Sequence, residues 1–164
     1  MRILNFVVVF GALFCAALPS NAQVRVPKAA TSQNSVVEKQ LRQFYESYAE
    51  DHIQKLIYVI LFQGIDGHME DIERAMTHVI TEARTIERRL SSSDWLVGEH
   101  FSAADIVVFP GIQILMRALE RREAQELRNR LLPLEANFPA IAAWLKRVES
   151  MPGYEKTYPP HWRE

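Results

Sequence analysis

Apolar residues along this chain recur at three- and four-residue intervals rather than at every second position, the spacing of helices that pack by one face. Ser35 and Glu38 have the spacing of a capping box, in which a serine oxygen takes a backbone N–H and the glutamate reaches back to the cap. Beyond them Leu41, Phe44, Tyr45, Tyr48, His52, Leu56, Val59, Ile60 and Phe62 fall on one stripe, which ends at Gly64 and the Asp66-Gly67 turn. A second stripe carries Ile72, Met76, Val79, Ile80, Ala83, Ile86 and Leu90. Glu70, Asp71 and Glu73 stand near its start, where the helix dipole favours negative charge. Two long amphipathic helices joined by a short turn predict an antiparallel hairpin.

A loop from Ser91 to His100 follows, carrying Trp95, Leu96 and Gly98. Ser102 and Asp105 then repeat the capping-box spacing, with aspartate in place of the usual glutamate. The helix they open is apolar nearly all round, through Ile106, Val107, Val108, Phe109, Ile112, Ile114, Leu115 and Met116. A helix without a polar face belongs at the centre of a bundle. Pro110 lies inside it, where a missing N–H and a ring clash are expected to kink the axis. Glu120 to Arg130 predicts one short charged helix, and Ala140 to Ser150 a final amphipathic one with Ile141, Trp144, Leu145 and Val148 inward. Pro152-Gly153 stops it. No segment alternates as a strand, so the fold class is all-α, a helical bundle whose central buried helix starts near Ser102.

The first residues follow a different logic. Arg2, the apolar run Ile3 to Leu18, and the small residues before and at Ala22 have the three-part order of a secretory signal over residues 1–22, cleaved after Ala22. A working signal sends the protein to the periplasm or outside the cell; without one it is cytoplasmic. The run is short for a stable membrane span, which needs about 20 apolar residues. Residues 23–34 read as a flexible polar linker, leaving 35–164 as the folded domain.

Composition narrows the chemistry. A formal net charge of -1 gives no field that would gather nucleic acid. The pairs Arg88-Arg89 and Arg121-Arg122 are diluted by Glu87, Glu120 and Glu123, which reads as solvated helix surface. Cys15 is the only cysteine, so the sequence holds no disulfide framework, thiolate metal site or catalytic Cys-His pair. His52, His68, His78, His100 and His161 are scattered, and His78 and Glu82 share a helix face without further ligands, so no metal is expected.

Trp95-Leu96-Val97-Gly98 followed by Phe101-Ser102-Ala103-Ala104-Asp105-Ile106 resembles the signature of the glutathione S-transferase C-terminal domain, bacterial type. Pro110, the stretch Phe138-Pro139-Ala140-Ile141 with Trp144-Leu145, Met151-Pro152-Gly153-Tyr154 and the tail Tyr158-Pro159-Pro160-His161-Trp162 extend the likeness. The resemblance implies a transferase fold in which an N-terminal thioredoxin-like domain holds glutathione and activates its thiol. That half is expected to be missing here, as in a truncated transferase, so glutathione enters as a cosubstrate rather than an intrinsic cofactor, and enzymatic activity stays open. The resemblance also implies that Tyr45, Tyr48 and His52 line a pocket for a small hydrophobic ligand, with Tyr158 and Trp162 closing over it. The helical spacing alone reads Tyr45 and Tyr48 as core and His52 as a hydrogen-bonded helix residue. Ser102 and Asp105 read as a structural cap, with no histidine placed to complete a nucleophile. A homodimer or a thioredoxin-like partner chain is the expected assembly, and a non-catalytic interaction or ligand-binding module the alternative.

Overall fold

The computed structural model describes residues 50–157, together with Val36 and Lys39. The signal over 1–22, the linker over 23–34 and the Ser35–Glu38 cap lie outside the described residues.

Helix α1 is described over Glu50–Tyr58 and buries Ile53, Leu56 and Ile57. It widens into a π-helical turn over Val59–Gln63, closed by a Gly64 N–H donating to the Val59 carbonyl at 2.9 Å. Each residue of a π turn rotates the chain by less than in an α-helix, so the apolar stripe slips out of register. Val59 and Ile60 stay buried, but Phe62 is thrown outward and left 66% exposed. The sequence stripe had placed Phe62 in the core. Its ring instead lies 5.8 Å from that of Tyr58, itself 48% exposed. Gly64 and Gly67 then turn the chain with φ of 86° and 82°, in the region open to glycine without cost.

Helix α2, Met69–Leu90, returns along α1 as expected and buries Ile72, Met76, Val79 and Leu90. Lys55 of α1 pairs with Asp71 of α2 at 3.0 Å. Helix α3, Ala103–Leu119, packs against α1 and continues through the buried Pro110. Ala104, Val108, Phe109, Ile114, Leu115, Ala118 and Leu119 are buried along it. The expected short charged helix comes in two pieces, a 3-10 turn Arg122–Ala124 and helix α4, Gln125–Leu131. Two more short helices, α5 over Leu134–Asn137 and α7 over Tyr154–Thr157, occupy stretches where the sequence predicted no helix. Between them α6, Pro139–Glu149, buries Ile141, Trp144, Leu145 and Val148. Trp144 meets Phe109 edge-on at 5.9 Å, and Phe109 meets Tyr154 in the same way at 5.7 Å. Aromatic pairs favour this geometry. Helix and turn account for all regular structure among the described residues, and no helix there is long and apolar enough to cross a membrane.

Candidate functional site

Three polar arrangements interrupt this apolar bundle. The first is at the start of α3. Asp105 is fully buried, and its carboxylate receives four donors. Oδ1 accepts the Leu96 N–H at 3.1 Å and the Trp144 indole N–H at 2.8 Å. Oδ2 accepts the Ser102 N–H at 2.9 Å and the Ser102 hydroxyl at 2.8 Å, and the Asp105 N–H donates back to the Ser102 side-chain oxygen, completing the capping box. A buried polar side chain is stable only with such company. The carboxylate ties the 91–100 loop, α3 and α6 to one point, and all four donors saturate it. It has no capacity left for substrate, so its chemistry here is structural.

The second arrangement lies between α2 and α6. Glu87 sends its carboxylate to the start of α6, where Oε1 accepts the Ala140 N–H and Oε2 the Ile141 N–H, each at 2.9 Å. Pro139 occupies the first position of that helix and leaves no N–H of its own to satisfy. Sequence reasoning had taken Glu87 as solvated charge beside Arg88. Its partners are 53 and 54 residues away, beyond the reach of any local motif.

The third joins α1 and α2. The rings of His52 and His78 stack at 4.1 Å with 4° between their planes. Burial holds the His52 pKa below the ordinary histidine value. His78 and Lys55 push it the same way, and Asp51 pulls it back. Stacked imidazoles have parallel lone-pair planes and cannot aim both at one metal ion. No group of three His, Cys, Asp or Glu among the described residues is arranged to hold one.

One turn after His78, the half-buried Glu82 borders a partly open pocket of about 50 Å³. Every other described residue on its wall is apolar, among them Ile53, Val79, Ile86, Met116, Leu131 and Ile141. The Glu82 Oε2 atom is out of solvent and has no hydrogen-bond partner. Burial raises the Glu82 pKa above the usual carboxylate value, with His78 opposing it. The sequence reading had noted the shared face of His78 and Glu82 but not the stack or the cavity.

Of the pocket residues inferred from resemblance, His52 is half-buried against His78 and does not line this cavity. Tyr45, Tyr48, Tyr158 and Trp162 lie outside the described residues.

With this geometry in place, comparison with known proteins gives consistent matches. A family model described as glutathione S-transferase, C-terminal domain, matches residues 26–152. Glutathione S-transferase A of Pleuronectes platessa is 26% identical over 117 residues, covering 68% of this chain and 46% of that protein. The crystal structure of the glutathione transferase URE2P8 from Phanerochaete chrysosporium, with oxidized glutathione, superposes with a TM-score of 0.65 at 19% identity, over 84% of this chain and 57% of that one. A glutathione S-transferase from Pseudomonas fluorescens gives 0.64 at 21% identity, over 82% and 58%. At these identities the structures establish a common fold. The chain spans about half the length of the Pleuronectes relative and less than two thirds of these two structures.

Proposed function

Because this chain belongs to the glutathione S-transferase C-terminal domain family, we propose that it supplies the helical, hydrophobic-substrate side of a transferase and that conjugation of glutathione needs a thioredoxin-like unit beside it. The observation that carries this reading is the match over residues 26–152 to relatives of which the chain spans only about half. Activating a thiol means holding its thiolate near a cation or a bank of donors. Among the described residues the best-supplied bank of donors, around Asp105, is already filled by a carboxylate. In this reading Tyr45, Tyr48, Tyr158 and Trp162 wall an apolar substrate, and His52 contributes from the edge of the α1–α2 pair.

Calorimetric titration of the full chain with reduced glutathione, followed by an apolar fluorescent dye, tests the division of labour. The expected outcome is saturable binding of the dye and none of glutathione. Saturable glutathione binding by the chain alone would place a thiol-peptide site in the helical half and overturn the reading.

A second reading rests on a separate observation. Tyr58, Phe62 and Met69, around the α1–α2 turn, are 48%, 66% and 44% exposed. Large apolar side chains gathered on a surface mark association. In this reading the helical domain assembles with a second copy through the tip of its hairpin.

A further inference from the structure

A surface cleft of about 340 Å³ opens between α2 and the segment from α4 to α5. Its apolar lining is the half-buried Ile80 and the buried Phe138. Three guanidiniums border it, Arg84 and Arg88 from α2 and Arg130 from α4, all exposed, so a ligand meets them directly from solvent. Arg130 already holds Glu73 at 2.6 Å. Arg84 and Arg88 have no carboxylate partner among the described residues. They stand one turn apart on the same helix, where two like charges oppose each other. Of the Arg88-Arg89 pair only Arg88 borders the cleft, since Arg89 donates to the Leu96 carbonyl at 2.9 Å. Glu87 borders it too, but both its oxygens are engaged by the Ala140 and Ile141 amides. The positive end of the α6 dipole offsets the charge it brings.

Two uncompensated cations side by side favour a doubly charged anion over a singly charged one. Guanidinium forks match phosphate oxygens in pairs, and the exposed Asn137 offers amide donors on the same wall. A nucleic-acid backbone is a poor match, because a formal net charge of -1 leaves no positive field beyond the cleft. The apolar surface of Ile80 and Phe138 suits a small organic group attached to the anion, and the volume falls within the range of small-molecule sites, about 300–1,000 Å³. We propose that this cleft binds small phosphate monoesters, with the phosphate on Arg84 and Arg88 and the ester group against Ile80 and Phe138. None of these residues is among those proposed to wall a transferase substrate, and the site needs no thioredoxin-like unit.

The test is calorimetric titration of the full chain with phenyl phosphate at about pH 8, above the second phosphate pKa of about 6. Saturable binding is expected, weakening as salt rises. Benzenesulfonate, a tetrahedral anion with the same ring and a single charge, is expected to bind at least about fivefold more weakly, as for one lost charge-assisted contact at an exposed site. Arg84→Gln and Arg88→Gln are each expected to weaken phenyl phosphate by about fivefold or more while the fold stays intact, since both side chains are exposed. Arg122→Gln, an exposed arginine outside the cleft, is expected to change nothing. Absence of saturable phenyl phosphate binding would overturn the proposal. So would equal affinity for the two probes, or an effect of Arg122→Gln as large as that of the cleft variants, because either reduces the arginines to a diffuse cationic surface. Inorganic phosphate bound as tightly as phenyl phosphate would overturn the ester in favour of the free ion. The probes compared on the unaltered chain decide the matter even where a variant fails to fold.

Discussion

Asp105 accepts four hydrogen bonds and has no ion pair among the described residues. Cutting its side chain back strands the buried Leu96 amide and Trp144 indole and takes a partner from the half-buried Ser102 amide. Unsatisfied buried donors each cost about 1–3 kcal/mol. Asp105→Ala is therefore expected to lose about 3 kcal/mol or more in urea unfolding, against about 1 kcal/mol for Ser102→Ala, which forfeits mainly the cap. Equal losses would mean that the loop and α6 do not depend on the carboxylate. His52 gives a pH-dependent counterpart. Burial, then His78, hold its folded-state pKa below the ordinary histidine value of 6.5, so the unfolded chain takes up a proton first as pH falls. Stability is then lost below pH 6.5 and levels off once the folded-state pKa is passed. His52→Gln is expected to flatten that part of the profile, read as urea midpoints at pH 7.5 and pH 5. A variant that loses as much stability as the unaltered chain over this interval would assign the slope to other groups.

At the scale of elements, what could be read in advance followed from how local the signal was. The stripes of α2 and α6, and the apolar circumference of α3, are periodicities within one segment; α6 forms within one residue of its expected limits, and α2 and α3 span the stretches their apolar residues mark. The π turn over Val59–Gln63 leaves no such trace, because its residues are as apolar as the helix before it, and so Phe62 was misplaced. Helices α5 and α7, at four residues each, are too short for periodicity to register. The Glu87 contact joins parts of the chain more than 50 residues apart, and neither partner looks unusual alone. Its carboxylate satisfies two of the orphan amides at the start of α6 and adds charge of the favoured sign there. Glu87→Ala is expected to cost about 1–2 kcal/mol and to speed hydrogen exchange at Ala140 and Ile141 ahead of the rest of α6. Glu87→Gln, which keeps acceptor capacity on one oxygen, should fall between. Exchange that stays slow in Glu87→Ala would show that packing of Ile141 and Trp144 holds the helix start unaided.

For the whole molecule, the motifs around Ser102 and Trp144 were enough to place the family because they sit where three elements meet, and such junctions tolerate few residue types. They say nothing of the outer faces, where assembly is decided, and there Phe62 is the informative residue. Its exposure follows from the π turn rather than from any polar pattern, so an apolar ring is presented to solvent beside Tyr58 by the backbone itself. Left bare, that patch costs solubility; covered by a second copy, it buries apolar surface at roughly 25 cal/mol per Å² before the entropy of association is met. Light scattering on the full chain over a hundredfold range of concentration is expected to show mass rising toward a dimer. Phe62→Ser should hold the mass at that of one chain, with its melting temperature near that of the unaltered protein because Phe62 contributes little to the core. A monomer at every concentration would remove the hairpin tip as an association surface. A dimer that persists in Phe62→Ser would move the contact to another face of α1 or α2 and leave the exposed rings to a different partner.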